Sequence, residues 1–145
     1  MGLSFSQVRS AVTDQVLTLS GFHLSRIPAA FFGRQQNTIA HLSFAVSLPT
    51  SSKLATRQRR AVGVYLSSSV NVMFAYRLRP KDVYPVDYDL CLDKEISVIN
   101  AVLANYSAVQ AGIEIRYESS SRKITDSTEY MITTCAFTAL HTIPN

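Results

Sequence analysis

His23, His41 and His141, with Cys91 and Cys135, are the side chains of this sequence best suited to bind a metal or to act as base or nucleophile. Their spacing points away from both roles. No HxH or HxxxH pair and no CxxC occurs, so neither a zinc site nor a disulfide framework is indicated, and the histidines read as satisfied structural or surface residues. Two buried thiols in a reducing compartment are expected. Nucleophilic catalysis needs a Ser or Cys in a strained turn with a His and a carboxylate converging on it, and no GxSxG elbow is present. Asp87, Asp89 and Asp93 form an acid cluster of the kind that holds a cation, yet a place at a helix start accounts for them without a ligand. No glycine-rich loop cradles a phosphate. The expectation is a non-enzymatic protein with no catalytic residues, no metal and no cofactor, and a small enzyme is the weakest of the readings.

The residues that could form a working surface are basic. Lys53, Arg57, Arg59 and Arg60 place four positive groups within eight residues. Such a run attracts nucleic acid or an acidic protein face over roughly 8 Å at physiological salt, or it is simply a solvated loop. It has no interleaved aromatics for base stacking and precedes no recognition helix, so a protein partner competes well with DNA. Arg77 and Arg79, close to Lys81, either pair with acids of the same chain or face a neighbouring subunit. Phe31 and Phe32 either anchor their segment to the body or form an exposed contact.

These residues must be held by one core. The chain has 145 residues, 47% hydrophobic and 17% charged, enough for a single domain over 1–145. Residues 1–81 contain ten basic residues and one acid, Asp14, whereas residues 82–145 contain four basic residues and nine acids, so the net +4 hides halves of opposite sign. A surface with a positive and a negative side is expected. No stretch approaches the roughly 18 apolar residues of a membrane span, so a soluble chain without membrane contact is expected. Arg9, Asp14 and Gln15 interrupt any secretory h-region.

The spacing of Phe5, Val8, Val12, Val16 and Leu19 predicts a helix from about Ser6 to Leu19, capped by Ser4 or Ser6 and stopped at Gly21. Residues 22–37 read as an ordered connection. Alternation over Thr38–Leu48 predicts a half-buried strand ended by Pro49, and residues 49–60 a long basic connection. A long strand follows over 61–79, bending near Gly63 or Ser67–Ser69 and pairing antiparallel with 38–48. A second helix is predicted over Tyr88–Tyr106, capped by Asp87 or Asp89. Its expected buried stripe is Leu92, Ile96, Ile99, Leu103 and Tyr106, with Asp89, Asp93 and Glu95 near its positive end. The end of the chain reads as a hairpin of GIEIRYE and TEYMITTCAFTAL joined by SSSRKITDS. The fold class is α+β: a mainly antiparallel sheet from two long hairpins, with two helices packed on one face.

The strings FFGRQQNTIAHLSFAVSLP, RQRR, YRLRPKD and YDLCLDKEISVINAVL, in this order of elements, resemble the tail-terminator (tail-completion) and neck proteins of tailed bacteriophages over about residues 5–140. The resemblance implies a structural virion protein: a homo-oligomeric ring, commonly six-fold, that ends tail-tube assembly and joins the tail to the head connector. Its implied partners are the tail-tube protein and the head-completion or connector protein, with DNA only as passing cargo. It implies a place in the virion, reached by assembly in the host cytoplasm. Lys53, Arg57, Arg59 and Arg60 match the hairpin loop that reaches a neighbouring subunit, the tube or the lumen, and Arg77 and Arg79 match the end of the long strand. Conduits for phage DNA are commonly lined with negative charge, which favours protein contacts for the basic loop. A nucleic-acid-binding accessory domain using residues 53–60 is the alternative.

Overall fold

The computed structural model describes residues 3–25, 39–53, 64–79, 86–104, 113–125 and 129–143. Helix α1 spans Phe5–Leu17. The Ser4 hydroxyl accepts from the Gln7 N–H, and the Ser4 N–H donates to the Gln7 side chain, a reciprocal cap that satisfies free amides of the first turn. Val8, Val12 and Val16 recur every fourth residue and are fully buried. Beyond the helix, Gly21 turns the chain at φ 86°, where a Cβ would also lie 3.2 Å from Leu42 Cδ1.

The remaining elements are β1 (His23–Leu24), β2 (Ser43–Ser47), β3 (Ser51–Lys53), β4 (Val64–Arg77), α2 (Val86–Leu103), β5 (Glu114–Ile124) and β6 (Tyr130–Ile143). The six strands form one sheet in the order β1-β2-β4-β6-β5, with β3 also paired to β4. All neighbours are antiparallel except β1 and β2. Alternate residues of the central strands, Val70, Val72, Phe74 and Tyr76 on β4 with Met131, Cys135, Phe137 and Ala139 on β6, share one core with Val8, Val12 and Val16 of α1 and Cys91, Val98 and Val102 of α2. Both helices therefore cover the same face, and the fold is the expected α+β arrangement. Phe44, Phe74 and Phe137 are essentially inaccessible, and burial of each stabilises the fold by about 2–3 kcal/mol.

Several boundaries differ from the sequence reading. The strand expected over 38–48 is confined to Ser43–Ser47, because residues 41–42 turn and Leu42 takes φ 58°. It is not half-buried either: Ser43, Phe44, Ala45 and Val46 are all buried, since a small second cluster of Ile39, Ala45 and Ala75 covers the opposite face there. The connection expected over 49–60 begins later, as β3 forms on the part of β4 that β2 leaves open. Pairing resumes immediately after Pro49: the Ser69 N–H donates to the Thr50 carbonyl at 2.8 Å. β4 runs in unbroken register with β6 from Val64 to Arg77, so no bulge interrupts Ser67–Ser69. Residues 61–63 lie outside the described residues.

Helix α2 starts at Val86, which places Asp87 inside the first turn instead of at the cap. Its buried line is Cys91, Glu95, Val98 and Val102, not the expected one; Ile96 is 56% exposed, while Leu92, Ile99 and Leu103 are half-buried. Tyr106 lies outside the described residues. In the last hairpin, SSSRKI belongs to β5 and not to the connection, because the 14-residue β6 offers a ladder along its whole length. A bulge between Tyr117 and Ser119 is absorbed at Glu118 and changes which residues of β5 face the helices.

Candidate interaction site

Of the residues singled out from sequence, Arg57, Arg59, Arg60, Phe31 and Phe32 lie outside the described residues. Lys53 is exposed at the end of β3, opposite Leu66 of β4. Arg77 closes β4 and Arg79 follows it. From Leu66 to Arg77 the strand advances by roughly 35 Å at about 3.3 Å per residue. The two basic groups that look like neighbours in the composition therefore occupy opposite ends of the sheet.

At the Arg77 end one of the two arginines, Arg79, has an acidic partner. The Arg79 N–H and Nε both donate to Asp87 Oδ2, at 2.7 and 2.9 Å, so Arg79 pairs with an acid of its own chain. The Arg79 guanidinium and backbone amide hold the Asp87 carboxyl below the usual carboxylate range. His41, on the turn before β2, accepts the Arg77 N–H on Nδ1 at 3.0 Å and packs edge-on against the Tyr76 ring at 4.6 Å. Partial burial lowers the His41 pKa, and the positive charges of Lys94 and Arg77 push it the same way. His41, Tyr76, Arg77, Arg79 and Asp87 line an open cleft of about 300 Å³ between the end of β4 and the start of α2.

Two polar arrangements were missed in the sequence. Glu95 was read as one of the acids near the helix start, yet it is buried against the sheet, where Arg122 Nε donates to Oε1 at 2.7 Å and Arg122 NH2 to Oε2 at 2.6 Å. The signal was available, since Glu95 shares the i, i+4, i+7, i+11 spacing of Cys91, Val98 and Val102. The second is a hydrogen-bonded chain that runs from the exposed Ser51 into the interior: Ser51 Oγ to Ser68 Oγ at 2.8 Å, Ser68 Oγ to His141 Nε2 at 2.8 Å, and His141 Nδ1 to the Leu3 carbonyl at 3.1 Å. A carbonyl only accepts, so Nδ1 bears the proton and Nε2 accepts from Ser68. The Ser68–His141 distance would suit a nucleophile and its base, but both residues are fully buried and meet no substrate in this arrangement. The contact instead ties residue 3 to the last strand, joined by the Leu3 N–H bond to the Thr142 carbonyl.

Among the described residues, no three of His, Cys, Asp and Glu come together to hold a metal ion, and no helix is long and apolar enough to cross a membrane. No protein-family model matches the chain, and no curated protein matches it.

Proposed function

We propose that the chain is a structural subunit of a ring at the head-proximal end of a phage tail, capping the tail tube and joining the tail to the head connector. The observation that supports this most directly is the division of charge along β4. At one end Arg79 is matched by Asp87, and at the other Lys53 is exposed on an edge hairpin whose sequence continues into Arg57, Arg59 and Arg60. Exposed positive charge at one end, at Lys53, and an acid-bearing helix at the other suit head-to-tail contact between identical subunits, where complementary patches set the register. The element order, helix, long hairpin, helix, long hairpin, is in keeping with the resemblance noted above. In this reading the ring ends polymerisation because its two faces differ: one complements the tube, and the other offers no site for a further tube subunit.

Native mass spectrometry of the protein, alone and with tail-tube protein, tests the reading; a closed oligomer is expected. The triple variant R57E/R59E/R60E is expected to keep the wild-type circular dichroism spectrum and to lose ring formation and normal tail length. Unaltered virion yield with normal tails would overturn the assignment of the basic segment. A strictly monomeric protein with tight DNA affinity that falls steeply with salt would replace this reading with that of a nucleic-acid-binding accessory domain.

A further inference from the structure

We infer that the cleft formed by His41, Tyr76, Arg77, Arg79 and Asp87 receives the carboxylate of an Asp or Glu side chain from a protein partner. The inference follows from which groups remain unused there. Among the described residues that line the cleft the one carboxylate, Asp87, is already engaged by Arg79 through two hydrogen bonds. The Arg77 side chain is exposed and makes no ion pair among the described residues, and the half-buried Lys94 lies close enough to act on His41. His41 accepts on Nδ1 from the Arg77 amide, so its neutral ring carries the proton on Nε2 and offers a donor. The Tyr76 phenol, protonated at neutral pH as any tyrosine is and pushed further that way by burial, carries an O–H donor as well. What remains among the described lining residues is a set of donors with one unmatched positive charge, Arg77, in the field of the nearby Lys94, and a carboxylate complements such a set.

Size and charge favour a protein side chain over a nucleic-acid backbone. A cleft of about 300 Å³ accommodates one side chain or small group. A nucleic acid needs a series of cations along its path, whereas among the described lining residues Arg77 alone is a cation without an ion pair, and Asp89 and Asp93 are exposed on the same helix. The residues named here all belong to one copy of the chain, so the inference goes beyond the ring reading and its test does not depend on assembly.

The test follows the ring protons of His41 by NMR during pH titration of the full chain at constant ionic strength, with and without a hexaglutamate peptide. The exposed His23 serves as reference. Bound carboxylate beside His41 is expected to raise its pKa, with little change at His23. R77Q is expected to weaken the peptide effect at His41 about tenfold, the loss of one charge-assisted hydrogen bond, while K53Q leaves it unchanged. Equal shifts at both histidines, or an undiminished His41 shift in folded R77Q, would overturn the inference. A larger His41 response to inorganic phosphate than to the peptide at equal total charge would also overturn it, in favour of a phosphate site.

Discussion

Cys91 and Cys135 sit on facing elements of the core, and burial pushes their thiols up to about 11 and about 12. Thiolate is the reactive form, so both cysteines are expected to resist Ellman's reagent at pH 8 in native buffer and to react fully in guanidinium. Rapid labelling of the native protein would contradict this burial. At acid pH two residues of the cleft set the response. Both His41 and Asp87 have folded pKa values below their unfolded ones, so protonation favours the unfolded chain. The stability linked to His41 is complete above about pH 6.5 and declines as pH falls toward its lowered value; that linked to Asp87 is complete above about pH 3.9 and declines below it. Urea midpoints measured down the pH scale should show both declines, with D87N flattening the lower one and H41Q the upper one.

At the scale of the element, α2 poses the clearest question, because apolar residues occupy two adjacent stripes and either could face the sheet. The choice falls to pairs made with other strands. Glu95 meets Arg122 of β5, and the Cys91 thiol lies 3.6 Å from the Thr133 hydroxyl of β6. With Val98 buried and Ile96 exposed, V98A is expected to cost about 2 kcal/mol of unfolding free energy, whereas I96A is expected to change it by less than about 0.5 kcal/mol. Removing one partner of the Glu95–Arg122 pair leaves a carboxylate that is 4% exposed without its cation. R122M is therefore expected to cost about 3 kcal/mol, the low end for a buried pair because the Arg122 side chain is 37% exposed, and E95L/R122M is expected to recover most of that loss. Equilibrium denaturation checks all four variants. The sheet edges are also managed at this scale: the Glu118 bulge interrupts β5, and Arg9 Nε donates to the Val46 carbonyl of β2 at 2.8 Å.

At the scale of the whole molecule, the opposed halves of the composition become a spatial arrangement that the totals do not show. Lys53 and Arg77 are about 35 Å apart along one strand, and Arg79 is matched by an acid of α2. Within a single chain, charge changes at the two ends should then act independently. R77Q should alter only binding in the cleft, and R57E/R59E/R60E should affect only assembly, checked by the peptide titration and by native mass spectrometry respectively. Much of this was legible in the sequence. The valine stripe of α1, its Ser4 cap and the alternation of β4 and β6 follow from periods of 3.6 and 2, which each segment expresses through its own residues. The extent of β3 and β5, the burial of both faces of β2, the orientation of α2 and the partner of Arg79 depend on what lies across the sheet. A strand ends where its neighbour's ladder ends, and a charge is buried only where an opposite charge waits, as Arg122 does for Glu95. Local periodicity thus determined the two helices, the long central strands and the core face of α1 and β4, while the core face of α2, the extent of β3 and β5 and the cleft beside α2 exist only because the tertiary structure brings separate parts of the chain together, as it does His41, Arg77 and Asp87.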